Sequence, residues 1–128
     1  GSNNPHYHGW GLYYTPGNLY FARFDGAQYS YSFATTLSFN TWYHIAVTRS
    51  GTSLRCFVDG TQVGSTYTTS VSLNRVNTDP LILGYWRTGP AGVSHDYYHG
   101  FMDDVRVTKG VARYTANFTP PTSAFPDS

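Results

Sequence analysis

Residues 41–65 read TWYHIAVTRSGTSLRCFVDGTQVGS, and this stretch decides the fold. Apolar and polar residues alternate over 42–48, and the chain returns as a second strand-like run over 54–58. Asp59-Gly60 stands directly after that run, and this pair favours a type I′ turn because both central residues of the turn need positive φ. We therefore predict a three-stranded antiparallel meander over residues 42–67.

The rest of the chain also predicts short strands separated by turns, with no long helix. Pro16-Gly17 is typical of a type II turn, which favours Pro second and Gly third. Residues 87–100 predict a long loop, and residues 109–118 predict a turn or one short helix. The predicted strands outside the meander are 10–14, 19–24, 27–33, 71–73, 81–86 and 101–108. About seven or eight short strands indicate an all-β fold, an antiparallel two-sheet β-sandwich.

The composition favours a polar but weakly charged surface. The chain has 128 residues, 12 Tyr and a formal net charge of +1. It has no Glu, and Lys109 is its one Lys, so strong helix formers are scarce. The dispersed basic residues offer no run that would follow a phosphate backbone, so we expect no nucleic-acid partner. No apolar run is long enough to span a bilayer, so we expect no membrane insertion.

Cys56 is the only cysteine, which excludes an intrachain disulfide. It has the same strand parity as Leu54 and Val58, and this pattern predicts a small buried hydrophobic side chain rather than a reactive thiol. A lone cysteine leaves the redox compartment open.

Two stretches resemble a known family. Residues 41–65 resemble the central meander of laminin G-like, concanavalin A-like domains. Residues 81–119, which begin LILGYW and end FMDDVRVTKGVARYTANFT, resemble the closing strands of the type found in phage tail, fibre and capsid-associated proteins and in bacterial surface proteins. Arg113-Tyr114, Phe118 and Pro120-Pro121 are the most specific part. The resemblance implies a concanavalin A-like jelly roll that binds glycans or proteins, in some members with calcium, and it implies no single function.

The chain departs from this family at its start. Full domains usually carry further N-terminal strands, whereas nine residues precede Trp10 here. A sandwich without those strands leaves sheet edges and apolar surface that invite pairing, so we expect a homo-oligomer or a larger assembly in which another copy or a neighbouring protein subunit covers them. We assign a single lectin-like domain, 1–128, with residues 1–8 as an N-terminal extension or tag remnant and residues 119–128 as an extended Pro-rich tail.

The carboxylates do not predict a glycosidase. Concanavalin A-like glycanases use two carboxylates, usually Glu, on one face of a strand. The chain has no Glu, and Asp103 and Asp104 are adjacent, so in a strand their side chains point to opposite faces. We predict that the protein is not an enzyme. We expect one of these carboxylates to accept backbone hydrogen bonds or to pair with Arg106 or Arg113.

No motif in the sequence requires a cofactor. Calcium is the one cofactor that the resemblance implies, and it needs several oxygen ligands at once. Asp96, Asp103 and Asp79 could supply oxygens together with loop carbonyls, although their spacing carries no loop signature. We take Asp96 and Asp103 as the candidate metal ligands, with Asp79 as a further source of oxygen.

Aromatic residues around the predicted long loop are the main candidates for a binding site. Sugar rings present C–H faces that stack on Trp and Tyr, while Arg, His and Asp hydrogen-bond the hydroxyl groups, and similar residue types favour protein interfaces. The candidate surface for a glycan or a partner is Trp86, Arg87, His95, Asp96, Tyr97 and Tyr98. The alternative is that these residues pack against the uncovered sheet edge or a neighbouring subunit. A second aromatic patch, for which core packing is the favoured interpretation, is Tyr7, Trp10, Tyr13 and Tyr14.

These features together predict a non-catalytic carbohydrate-recognition or adhesion module of a virion or cell-surface protein. Its location would be extracellular or on a virion surface, and its partner a glycan. The alternative is a structural virion, fibre or decoration subunit whose aromatic loops mediate protein–protein assembly.

Overall fold

The computed structural model describes residues 8–25, 28–73, 81–88 and 94–125. These residues contain no helix, and their eight strands are β1 (His8–Thr15), β2 (Asn18–Asp25), β3 (Gln28–Ala34), β4 (Ile45–Ser50), β5 (Ser53–Val58), β6 (Thr61–Thr68), β7 (Tyr85–Thr88) and β8 (Ser94–Tyr97). Three antiparallel sheets result, in the orders β1-β2-β3, β4-β5-β6 and β7-β8. No helix in the described ranges could cross a membrane. The predicted all-β antiparallel fold is confirmed.

The first sheet is the meander of β1, β2 and β3. Gly17, in the turn between β1 and β2, has a φ of +91°, which is the left-handed conformation that the third position of the predicted type II turn requires. In the register of β2 with β3, Leu19 pairs with Phe33 and Phe21 pairs with Tyr31. Directly opposed residues share a face, so these four side chains form one half of the core.

The second sheet is the meander of β4, β5 and β6. Asp59 and Gly60 have φ values of +50° and +80°, as a type I′ turn requires, so the predicted turn is confirmed. Gly64 in β6 has a φ of +65°, and a Cβ there would stand 3.1 Å from the Cα of Phe33. A residue with a side chain would crowd β3, so glycine permits this close approach of the two sheets.

The core lies between these two sheets. Its buried members are Leu19, Phe21 and Phe33 of the first sheet and Leu54 and Cys56 of the second. The Tyr67 ring meets the Phe33 ring edge-on, with centroids 5.4 Å apart, and its hydroxyl donates to the Ser32 carbonyl oxygen at 2.8 Å. Cys56 is fully buried, as its strand parity predicts.

A polar contact joins the sheets beside this core. The Tyr31 hydroxyl donates to Thr69 Oγ1 at 2.9 Å, and the Arg23 guanidinium lies 4.0 Å from the centre of the Tyr29 ring. Burial by itself raises the pKa of Tyr31, but the hydrogen bonds with Thr69 and Arg23, together with the positive charges of Arg23 and Arg49, outweigh it, so the net pKa lies below the ordinary 10.0. The edge of the core is therefore held by hydrogen bonds as well as by apolar packing.

Residues 114–120 cover the opposite face of β5. Phe57 points away from the core and is fully buried there, with its ring centroid 5.4 Å from that of Phe118. The backbone N–H of Gln62 donates to Asn117 Oδ1 at 2.9 Å. β5 is therefore buried on both faces, by the first sheet on one side and by the C-terminal segment on the other.

The predicted loop and strand assignments are wrong around the third sheet. Residues 87–100, predicted as a loop, contain most of the hairpin of β7 and β8. Residues 81–86, predicted as one strand, become extended only at Tyr85. Gly84 has a φ of +75°, and this left-handed residue interrupts the strand that the apolar run predicts.

Residues 101–108 do not form the strand that their sequence predicts. Asp104 has a φ of +49°, and its N–H donates to the Asp103 side chain at 2.9 Å. A local side-chain hydrogen bond of this kind competes with strand pairing. No helix forms over 109–118 either, so of the two predicted alternatives, a turn or one short helix, the helix is wrong.

Two smaller differences lie near the second sheet. β4 begins at Ile45 rather than at residue 42, because the N–H of His44 donates to the Asp59 side chain at 2.8 Å. Residues 71–73 form no strand. The Arg49 side chain donates to the Val71 carbonyl oxygen. This hydrogen bond takes an acceptor that pairing with a neighbouring strand would need.

Candidate functional site

The predicted binding surface lies on the β7–β8 hairpin. The backbone pairing of the two strands sets Tyr85 opposite Tyr97, Trp86 opposite Asp96 and Arg87 opposite His95. Tyr98 follows directly, and its N–H donates to the Gly84 carbonyl oxygen at 2.9 Å. The hairpin therefore brings all six predicted positions together along the backbone. The side chains of Trp86, Arg87 and His95 lie outside the part that the structure describes.

Two tyrosine side chains of this hairpin are open to solvent. Tyr97 is 64% exposed and Tyr98 is 56% exposed. The Tyr97 ring lies against the Tyr85 ring, with centroids 5.4 Å apart and an angle of 44° between the planes. The Tyr98 ring packs over Gly100, where a Cβ would stand 2.8 Å from Cζ of the ring. One side of each ring is thus supported, while more than half of each side chain stays available to a ligand.

Asp96 adds an exposed carboxylate next to Tyr97 in β8. Adjacent strand residues point to opposite faces, so the carboxylate and the Tyr97 ring serve different faces of the hairpin. The tyrosines offer flat apolar rings with a polar hydroxyl, and Asp96 offers a hydrogen-bond acceptor. Each tyrosine can therefore contact the apolar face of a ligand and hydrogen-bond its polar groups, and Asp96 offers an acceptor on the face opposite Tyr97.

Asp96 and Asp103, the candidate calcium ligands, are both exposed. One oxygen of Asp103 already accepts the N–H of Asp104. In the described residues, no group of three or more His, Cys, Asp or Glu side chains could hold a metal ion. Asp79, the further candidate, lies outside the described residues. Calcium takes about six to eight oxygen ligands at once, which is more than these two exposed carboxylates offer by themselves.

Asp103-Asp104 is exposed and lies outside any strand, so the expected placement on opposite strand faces is wrong. The backbone hydrogen bond to Asp103 agrees with one of the two expected roles. Arg106 donates instead to the Tyr114 hydroxyl at 3.3 Å, and Arg113 donates to Thr108 Oγ1 at 2.8 Å. Among the described residues, neither arginine pairs with these carboxylates, and both carboxylates are exposed at the surface.

Of the second aromatic patch, the structure describes Trp10, Tyr13 and Tyr14 but not Tyr7. Trp10 lies on the inner face of the first sheet and stacks on Phe21 with centroids 6.1 Å apart. Tyr13 lies on the outer face and stacks on Tyr20 at 4.8 Å. Trp10 and Tyr14 are still exposed, so the favoured interpretation as core packing holds only in part.

A groove that the sequence does not predict lies on the C-terminal segment. Its volume is about 490 Å³, and its lining includes Arg106, Arg113, Tyr114 and Phe125. The Arg106 guanidinium lies 3.8 Å from the centre of the Phe125 ring. From sequence, residues 119–128 are expected to be an extended tail. An aromatic residue inside that tail, Phe125, is the signal that indicates a packed end.

A family model described as the Concanavalin A-like lectin/glucanases superfamily matches residues 1–113. The searches of curated proteins and of solved structures each found no match. The matched range covers most of the chain, and the antiparallel sheets packed on a common core agree with it. The chain therefore belongs to the concanavalin A-like lectin/glucanase superfamily.

Proposed function

We propose that the chain is a non-catalytic carbohydrate-recognition or adhesion module that acts outside the cell or on a virion surface. The observation that carries this proposal is the pair of exposed rings, Tyr97 and Tyr98, next to the exposed Asp96 on the β7–β8 hairpin. Membership of a superfamily that includes lectins supports it.

Exposed, supported rings suit a sugar for two physical reasons. The C–H face of a pyranose packs on an aromatic ring, and the hydroxyl of the same tyrosine can hydrogen-bond a sugar hydroxyl group, while Asp96 offers an acceptor on the other face of the hairpin. The contacts of Tyr97 with Tyr85 and of Tyr98 with Gly100 restrict both rings before any ligand binds. Less side-chain freedom is then lost on binding, which favours affinity.

The carboxylates support a non-catalytic role. Hydrolysis of a glycosidic bond needs two carboxyl groups on either side of that bond, roughly 5–10 Å apart. The chain has no Glu, and the acid catalyst of such enzymes usually sits in a sheltered, low-polarity site. Asp96, Asp103 and Asp104 are instead exposed.

The experiment compares Tyr97→Ala and Tyr98→Ala with Phe39→Ala. Phe39 is 97% exposed in the connection between β3 and β4, so its loss removes an exposed ring without touching the hairpin. We expect each tyrosine variant to weaken binding of the glycans that the wild-type protein recognises by about two- to tenfold, the effect of an aromatic contact worth ~0.5–1.5 kcal/mol. Equal weakening in Phe39→Ala, or none in the tyrosine variants, would contradict the proposal.

A second function, a structural subunit that assembles with neighbouring protein, is favoured by exposed apolar side chains. These are Leu81, Ile82, Leu83, Phe101, Val105 and Val107. Exposed apolar side chains that lie together in a patch mark protein–protein interfaces, and these six come from two short segments of the chain, 81–83 and 101–107. Light scattering and glycan binding, measured on the tyrosine variants and on Phe101→Ala, separate the two functions. Loss of assembly with sugar binding intact supports a structural subunit, and loss of sugar binding with assembly intact supports the lectin.

A further inference from the structure

We propose that the groove on the C-terminal segment binds a saccharide that carries a carboxylate group. This site is separate from the residues of the β7–β8 hairpin, and only the ligand class, a sugar, rests on the proposed function. Arg106 and Arg113 both line the groove, and no described Asp or Glu lines it. Two guanidinium groups in one groove attract an anion.

Arg106 is held in place before any ligand binds. Its guanidinium lies against the Phe125 ring at 3.8 Å and donates one hydrogen bond, to the Tyr114 hydroxyl. A guanidinium has about five N–H donors, so most of the Arg106 donors have no partner among the described residues. A planar guanidinium donates two parallel hydrogen bonds to a carboxylate, and a fixed one loses little freedom in doing so.

Arg113 supplies the second positive charge. Its Nε donates to Thr108 Oγ1 at 2.8 Å, which fixes the end of the side chain. Its terminal nitrogens form no hydrogen bond to a described residue. The chain as a whole carries a formal charge of only +1, so the attraction of an anion to this groove comes from these two local charges rather than from the net charge of the protein.

The rest of the lining suits a sugar ring. The groove volume of about 490 Å³ lies within the ~300–1,000 Å³ that small-molecule sites occupy. The Tyr114 hydroxyl accepts a hydrogen bond from Arg106, which leaves its own O–H to donate, and Ser123 adds another hydroxyl. Val111 and Pro121 provide apolar surface for the C–H face of the ring.

The test uses two matched ligand pairs, oligogalacturonate with its methyl ester and sialyllactose with lactose, measured by calorimetry. In each pair only the first member carries a carboxylate. The protein variants are Arg106→Gln and Arg113→Gln, with Lys109→Gln as the control. Lys109 is exposed and does not line the groove, so its replacement removes the same unit of charge from a neighbouring position.

We expect the wild-type protein to bind the acidic member of at least one pair roughly tenfold or more tightly than the neutral member, in line with a charge-assisted bidentate contact. Arg106→Gln and Arg113→Gln should abolish that preference, and Lys109→Gln should retain it. Circular dichroism checks that each variant is folded. Arg113 is exposed, so its variant carries the test if Arg106→Gln misfolds.

The inference is overturned if the wild-type protein prefers neither acidic sugar, or if a preference survives both arginine variants. Tyr97→Ala and Tyr98→Ala, measured with the same ligands, separate this outcome from a failure of the proposed function. Sugar binding that depends on the tyrosines but not on the arginines removes the groove inference and leaves the proposed hairpin site intact. Binding that needs the sugar carboxylate and the arginines, but not the tyrosines, supports the groove inference and removes the proposed hairpin site.

Discussion

The backbone of Phe118 crosses directly over Gly60 in the turn between β5 and β6. The N–H of Phe118 donates to the Gly60 carbonyl oxygen at 2.8 Å, and a Cβ on Gly60 would overlap the Phe118 carbonyl oxygen. Gly60 therefore adopts the positive φ of the type I′ turn and also makes room for the segment that covers Phe57. This contact joins a local turn to the far end of the chain.

We expect Gly60→Ala to destabilise the protein far more than Gly51→Ala. Both glycines have positive φ, so a side chain costs roughly 1 kcal/mol of backbone strain at either position. A Cβ at Gly51 meets nothing, whereas one at Gly60 pushes residues 114–120 off Phe57, and we expect a total loss of about 3 kcal/mol. Urea unfolding measures both variants. Similar losses would mean that the C-terminal segment does not rest on this turn.

The position of the core predicts a large loss of stability for one leucine variant and almost none for another. Leu54 is 1% exposed and Leu81 is 61% exposed. Leu54→Ala should lower the free energy of unfolding by about 2–5 kcal/mol, while Leu81→Ala should stay within roughly 0.5 kcal/mol. The measurement is denaturant unfolding over a range of protein concentrations. A large, concentration-dependent effect of Leu81→Ala would place that side chain in an interface between copies.

The Cys56 thiol should be inert in the folded protein. Burial raises the pKa of this thiol from 9.0 to about 12, against a smaller opposing effect of a backbone hydrogen bond involving Phe57. The thiolate is the reactive form, so iodoacetamide at about pH 8 should label the unfolded chain and spare the native one. Fast labelling of the native protein, detected by mass spectrometry, would show that the second sheet opens or that Cys56 is not in the core.

The same pKa shift has a consequence for stability against pH. Folding favours the neutral thiol, because the pKa of Cys56 is higher in the native protein than in the unfolded chain. This contribution to stability is therefore fully present below about pH 9 and is lost as the pH rises through about 12. The free energy of unfolding is measured across this pH range for Cys56→Ala and for the wild-type protein. Because the tyrosines ionise in both proteins, the difference between the two isolates the effect of the thiol.

We expect EDTA to leave the melting temperature of the protein unchanged. A calcium ion that binds the folded state raises its stability by mass action, and the exposed Asp96 and Asp103 have no third metal-binding side chain grouped with them in the described residues. Thermal unfolding with EDTA and with millimolar calcium checks this. The contrary result is that added calcium raises the melting temperature of the wild-type protein but not that of Asp96→Asn or Asp103→Asn. That result would identify the substituted residue as a calcium ligand and overturn the expectation.

The first two sheets follow from signals that act between close neighbours in sequence. Period-two alternation over residues 28–33 needs only the local backbone, and so do the left-handed residues of Pro16-Gly17 and Asp59-Gly60. The parity of Cys56 likewise places it in the core. These features could be predicted because each depends on a few adjacent residues.

The C-terminal third depends on contacts that sequence alone does not reveal. Residues 101–108 have a strand-like pattern, but a strand also needs a pairing partner, and the Asp103 side chain takes the N–H of Asp104 instead. β7 and β8 have only four residues each, which is too short for alternation to be recognised. The candidate residues of the hairpin could therefore be named from the sequence, but their pairing and the Arg106 groove could not.

Carbohydrate recognition by this chain is tested most directly by a glycan array probed with the purified wild-type protein, with calcium and with EDTA. We predict binding to a defined set of related glycans under both conditions, reduced in Tyr97→Ala and Tyr98→Ala and retained in Phe39→Ala. An array that stays blank at high protein concentration would contradict the proposal, and the exposed rings of the β7–β8 hairpin would then be assigned to contacts between protein subunits.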